Sequence, residues 1–151
     1  MVPGRAQAVK SGAELVNAVA EMGSDLRLEV KLQVRVARRI WGAIRKIDVV
    51  LTHPETRKTL GIECKYQSVG GTAEEKIPAT VQDIAAWPIP GLIVFSGDGF
   101  SQNMKYFLIS TGKAIEVSEL RAWLCLFFGL PLEDQVDKED AAAADRQLPL
   151  A

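Results

Sequence analysis

Arg45-Lys46-Ile47-Asp48-Val49-Val50-Leu51-Thr52, followed across residues 53–59 by Leu60-Gly61-Ile62-Glu63-Cys64-Lys65-Tyr66-Gln67, decides how this chain folds. Both stretches are dense in β-branched and apolar residues, and the second alternates in character, so both read as strands. Between them His53-Pro54-Glu55-Thr56-Arg57-Lys58-Thr59 is polar and carries the proline expected where a chain reverses, which makes a hairpin. Side chains alternate across a strand, so Glu63, Lys65 and Gln67 share one face and Ile62, Cys64 and Tyr66 the other. Asp48 joins the first set if the register is right. Two carboxylates and an amine on neighbouring strands can hold a divalent cation and a water beside a phosphate. The plain alternative is that Asp48 caps a turn and that Glu63 and Lys65 form an ordinary exposed ion pair.

Working outward, Leu15, Val16, Val19 and Met22 recur at helical spacing over residues 12–22, and Gly23 supplies a stop. Residues 26–36 then alternate, with Leu26, Leu28, Val30, Leu32, Val34 and Val36 inward and Arg27, Glu29, Lys31, Gln33 and Arg35 outward. After the hairpin, Gly70-Gly71 frees the backbone, and Thr72 with Glu75 forms a capping box that starts a second helix. That helix turns Ile77, Val81 and Ile84 inward despite Pro78 and ends at Trp87-Pro88. Residues 91–96 are almost wholly apolar, as a strand covered on both faces would be. Residues 101–110 read as a short helix, 114–117 as a short strand, and 118–128 as a helix capped by Ser118. From Glu133 onward the chain is acidic and alanine-rich without a core pattern. One domain over residues 1–130 and an acidic tail over 131–151 is the expected organisation.

Composition narrows the function. With 48% hydrophobic and 25% charged residues in 151, the chain has the material for one core. No apolar run nears the roughly 20 residues that span a bilayer, and the first residues lack a signal-peptide stretch, so a cytoplasmic location and no membrane partner are expected. A single histidine and two distant cysteines, Cys64 and Cys125, argue against zinc or a disulfide framework. Net charge is only −1, yet residues 1–65 carry 12 Lys or Arg against 7 Asp or Glu. Arg35, Arg38, Arg39, Arg45 and Lys46 cluster around the turn joining two strands, where a phosphate backbone could be gripped; a solvated hairpin rim is the competing reading. Lys76, early in the second helix, is a further candidate phosphate contact.

In a frame of helix, three strands, helix and strand, Asp48 with Glu63-Cys64-Lys65 and Gln67 resembles the PD-(D/E)XK nuclease superfamily. The resemblance covers residues 12–97 and the acidic position of the opening helix is matched by Glu14, with Glu21 as its rival. It implies the restriction-endonuclease-like α/β fold: an αβββαβ core, a mixed central sheet flanked by helices, here with a C-terminal βα appendage. It further implies Asp48 and Glu63 as metal ligands, the Cys64 carbonyl as a third, Lys65 near the attacking water, and Glu14 as an additional or water-mediated ligand. Gln67 shares the site face and is placed with the catalytic set. The residue before Asp48 is Ile47, where the family name has proline. Hard oxygen ligands suit Mg²⁺, with Mn²⁺ as a substitute, and one ion needs only one or two carboxylates. The expectation is a Mg²⁺-dependent DNA endonuclease of restriction, repair or recombination type, with a homodimer favoured if it cuts both strands. The alternative is a noncatalytic nucleic-acid-binding or assembly module that retains the fold.

Overall fold

A computed structural model describes residues 11–38, 44–67, 73–97 and 99–132, with the side chains at 37, 38, 44 and 73–76 excepted. By contact the chain divides into two units, residues 1–121 and 122–151.

Helix α1 spans Gly12–Asp25 and is capped by Ser11, whose Oγ accepts the Glu14 N–H at 3.1 Å. Gly23 does not end it. A Cβ there would stand 2.6 Å from Leu51 Cδ2, so the glycine is where the helix backbone lies directly on the sheet. The helix ends two residues later, at Asp25, in a Schellman turn: Arg27 takes φ 65°, its N–H bonds Ser24 O, and Leu28 N–H bonds Gly23 O. The alternation at Leu26-Arg27-Leu28, expected as strand, therefore belongs to the helix terminus.

Strand β1 is Glu29–Arg38, β2 is Ile44–Thr52 and β3 is Thr59–Tyr66, paired antiparallel in that order. In the hairpin turn His53 Nδ1 accepts the N–H groups of Glu55 and Thr56 at 3.1 and 3.2 Å, the turn role its position implied. Helix α2, Ala73–Ala85, carries the chain over to β4, Gly91–Ser96, which lies parallel to β3. Helix α3, Gln102–Ser110, is capped by Ser101 and leads to β5, Ala114–Glu116, parallel to β4. The sheet order is β1-β2-β3-β4-β5, so an antiparallel half and a parallel half meet at β3. The expected mixed sheet with flanking helices is what forms.

Two cores result. Leu15 and Val19 of α1 are buried with Val49, Leu51, Leu60 and Ile62 on one face. On the other, Ile77 and Ile84 of α2 and Leu108 of α3 close over Ile47, Val50, Ile93 and Phe95, with Trp87 and Phe100. Pro78 faces outward and is accommodated within α2, while Leu92 to Phe95 are buried throughout as predicted for β4. Leu32, expected inward, is 47% exposed. The alternation of β1 breaks at its neighbour Gln33, which has φ 51°.

Ser118 is not a cap: it sits inside a 3₁₀ turn, Val117–Glu119, that runs into helix α4, Leu120–Phe128. Within the second unit Leu124, Cys125 and Phe128 are buried, Trp123 and Phe127 stack at 5.2 Å, and Leu130 N–H closes the helix on Cys125 O. The capping box at Thr72 and the tail from residue 133 lie outside the described residues. Among the described residues no helix is long and apolar enough to cross a membrane.

Candidate active site

The pairing of β2 with β3 runs from Thr52↔Thr59 to Val49↔Ile62 and stops. The next residues along the two strands are Asp48 and Glu63. Here the strands part, and the Asp48 carboxylate takes the place of the missing rung: Oδ2 accepts the Cys64 N–H at 2.9 Å. Odd residues of β3 bond toward β4, as Gly61 N–H to Pro90 O and Gln67 N–H to Ser96 O show. Even residues face β2. A strand residue sends its N–H and C=O to the same side, so the Cys64 carbonyl also opens into the gap beside Asp48.

Glu63 and Lys65, two apart on β3, share a face as the period required, with Lys65 Nζ 3.3 Å from Glu63 Oε2 and both side chains largely buried. Burial, then the charge of Asp48, pushes the Glu63 carboxyl from its ordinary 4.5 up to about 7; Lys65 opposes the rise, and Asp83 of α2 adds to it. Burial, then Asp48 and Glu63, also holds the Cys64 thiol strongly up, so it is a neutral thiol rather than a thiolate ligand. A site in which one carboxylate suppresses ionisation of its neighbour is short of positive charge. A divalent cation would supply it, and carboxylate and carbonyl oxygens are donors that suit a hard ion.

The structure thus brings Asp48, Glu63, Cys64 and Lys65 together. It places Glu14 in the exposed first turn of α1, and Glu14 is not among the charges that shift Glu63. Gln67 is buried at the end of β3, where Nε2 donates to Gly99 O at 2.7 Å and its main-chain oxygen accepts Gly99 N–H at 2.8 Å. It stitches β3 to the loop after β4. Of the basic group, Arg35 and Lys46 are exposed and directly opposed in the β1–β2 ladder. Like charges so placed repel unless an anion lies between them. Arg45 instead reaches α2, with Nε 2.8 Å from Asp83 Oδ1 and both side chains mostly buried. Arg39 and the side chains of Arg38 and Lys76 lie outside the described residues.

Two neighbours of the site escaped the sequence reading. Gln33 sits across from Asp48 and donates from Nε2 to Asp48 Oδ1 at 3.3 Å. Its only signal is a neutral carboxamide in an outward row otherwise made of charged Glu29, Lys31 and Arg35. Asp83, which acts on both Arg45 and Glu63, has no sequence signal beyond being an acid next to Ile84 late in α2.

The model of the PD-(D/E)XK nuclease superfamily domain matches residues 7–122. No protein of curated function matches the sequence. Two solved structures are similar to this chain. One is a protein of unknown function, 20% identical, covering 90% of this chain and 77% of its own at a TM-score of 0.48. The other is a repair endonuclease from Pyrococcus abyssi, 16% identical, covering 73% of this chain and 49% of its own at a TM-score of 0.39.

Proposed function

The chain belongs to the PD-(D/E)XK nuclease superfamily, and on that premise we propose that it is a Mg²⁺-dependent DNA endonuclease that hydrolyses phosphodiester bonds at Asp48, Glu63 and Lys65. The observation that carries this reading is the bond from the Cys64 N–H to Asp48 Oδ2, which sets the Asp48 carboxylate beside the Glu63–Lys65 pair at the point where β2 and β3 part.

In this reading Asp48, Glu63 and the Cys64 carbonyl would hold the ion. When bound, a divalent metal neutralises charge on the phosphoryl oxygens and lowers the proton affinity of a water. The residues do the rest. Asp48 keeps lone pairs free on both oxygens while its hydrogen bonds fix the carboxylate plane, because an ionised carboxylate accepts about four bonds. Glu63, whose carboxyl is pushed up to about 7 by burial and then by Asp48, would be held ionised by a bound cation. Lys65, 3.3 Å from Glu63, has its ammonium group available to orient a water or a phosphate oxygen. Arg35 and Lys46, opposed on the exposed β1–β2 ladder, would take the backbone phosphates, and Arg45 is engaged in holding α2 against β2.

The test is a substrate panel of supercoiled plasmid, linear duplex, single-stranded DNA, branched DNA and RNA, with Mg²⁺, Mn²⁺ or EDTA. Wild type should cut DNA internally only with metal, and Asp48→Ala and Lys65→Ala should each lose at least about 100-fold in rate, the scale seen when a charge-stabilising group is removed. Metal-dependent products that persist unchanged in Asp48→Ala would refute the site. Binding by wild type with no cleavage of any substrate would favour a noncatalytic nucleic-acid-binding module.

A further inference from the structure

Among the described residues three that are not glycine have a left-handed backbone: Arg27, Gln33 and Arg57. Arg27 closes α1 and Arg57 lies in the β2–β3 turn, where that conformation is ordinary. Gln33 is in the middle of β1, with paired residues on both sides, Leu32↔Val49 and Val34↔Ile47. Nothing in a straight antiparallel ladder asks for φ 51° there, and such residues persist only where surrounding contacts hold them. The residue across the ladder is Asp48. Around it β2 also loses its alternation, since Ile47 and Val50, three apart, pack in one core cluster.

We infer that Gln33 is a positioning residue for Asp48: its left-handed backbone carries the carboxamide to Asp48 Oδ1, and together with the Cys64 N–H on Oδ2 it fixes the carboxylate for metal binding. One oxygen is thus held from β1 and the other from β3, so the carboxylate cannot rotate without losing a bond. Hydrogen bonds of this kind to a ligating group set its orientation and basicity. The inference rests on the reading of Asp48 as a metal ligand.

Two substitutions separate the side chain from the backbone. Gln33→Met keeps the length and the left-handed penalty but removes the donor; Gln33→Gly removes both, since glycine takes that conformation freely. Mn²⁺ affinity is measured by calorimetric titration of the full chain, alongside the unfolding midpoint in EDTA and the Mn²⁺ dependence of plasmid cleavage. Both variants should bind Mn²⁺ at least about 10-fold more weakly and need correspondingly more of it to cleave. The midpoint of Gln33→Gly should equal or exceed that of wild type. Gln33→Met binding Mn²⁺ as wild type does would overturn the inference, whatever Gln33→Gly does, because the carboxamide would then have no role. Wild type that binds no Mn²⁺ would bring down the metal-site reading and this inference with it. Wild type that binds Mn²⁺ without cleaving would bring down the nuclease reading alone, with the affinities still deciding the role of Gln33.

Discussion

Glu63 carries the largest consequence at the scale of single residues. Its carboxyl is pushed up from the ordinary 4.5 to about 7 in the fold, mainly by burial and then by the charge of Asp48. Between those values the native state holds a proton that the unfolded chain has released, so the native state binds more protons and stability falls as pH rises. Below 4.5 both states are protonated, and above 7 both are ionised and the loss is complete. In EDTA, urea unfolding from pH 4 to 8 should therefore show wild type losing on the order of 2–3 kcal/mol relative to Glu63→Gln, which cannot ionise. Saturating Mg²⁺ should cancel most of that slope, because metal and proton compete for the same oxygens. A wild-type profile parallel to that of Glu63→Gln would show that burial does not perturb this carboxyl. The acid-amine trio was legible in the sequence because strand parity alone places Glu63 and Lys65 together. Gln33 was not, because a left-handed residue inside a strand is imposed by its neighbours and leaves no mark in propensity.

Elements are positioned by close approach as much as by hydrophobic pattern. Gly61 and Gly91 face each other across the β3–β4 ladder, and a Cβ on Gly91 would stand 2.4 Å from Ile84 Cγ2 and 2.8 Å from Trp87 Cε3. The glycine pair leaves the slot in which the Trp87 ring lies against the sheet, with Gly61 two residues before Glu63 on β3. Gly91→Ala should cost about 1–3 kcal/mol by overpacking, read as a lower urea midpoint, and should lower activity only through that loss. An unchanged midpoint would mean that α2 shifts at no cost. Element type and order were readable from β2 onward because β-branched and apolar runs mark the strands and helical spacing marks the helices, even though the alternation of β2 breaks beside Asp48. The first helix boundary was misread at Leu26-Arg27-Leu28. A Schellman turn and a strand both ask for an apolar residue at Leu28, so the pattern does not distinguish them. Ser118 failed as a cap for a related reason, because the 3₁₀ turn absorbs the residues that would have been the first turn of α4.

For the whole molecule, net charge is nearly balanced and attraction to a polyanion must come from local placement. Arg35 and Lys46, opposed and exposed, are the described pair best placed to supply it. Lys46→Ala should weaken DNA binding evenly across sequences and flatten the plot of log affinity against log salt by about 1, as expected when one phosphate contact is lost. Fluorescence anisotropy at several KCl concentrations in Ca²⁺ or EDTA reads both effects, and an unaltered slope would remove Lys46 from the interface. The charge asymmetry was visible in the sequence; the diversion of Arg45 to Asp83 was not, since only the fold brings β2 and α2 together. One further consequence comes from the seam where antiparallel and parallel pairing meet. The Cys64 amide is bound there to a side chain instead of to a neighbouring strand, so its proton senses whatever the Asp48 carboxylate senses. In a ¹⁵N-labelled sample that one resonance becomes a probe of site occupancy: diamagnetic Mg²⁺ should move it and paramagnetic Mn²⁺ should erase it, before any substrate is added.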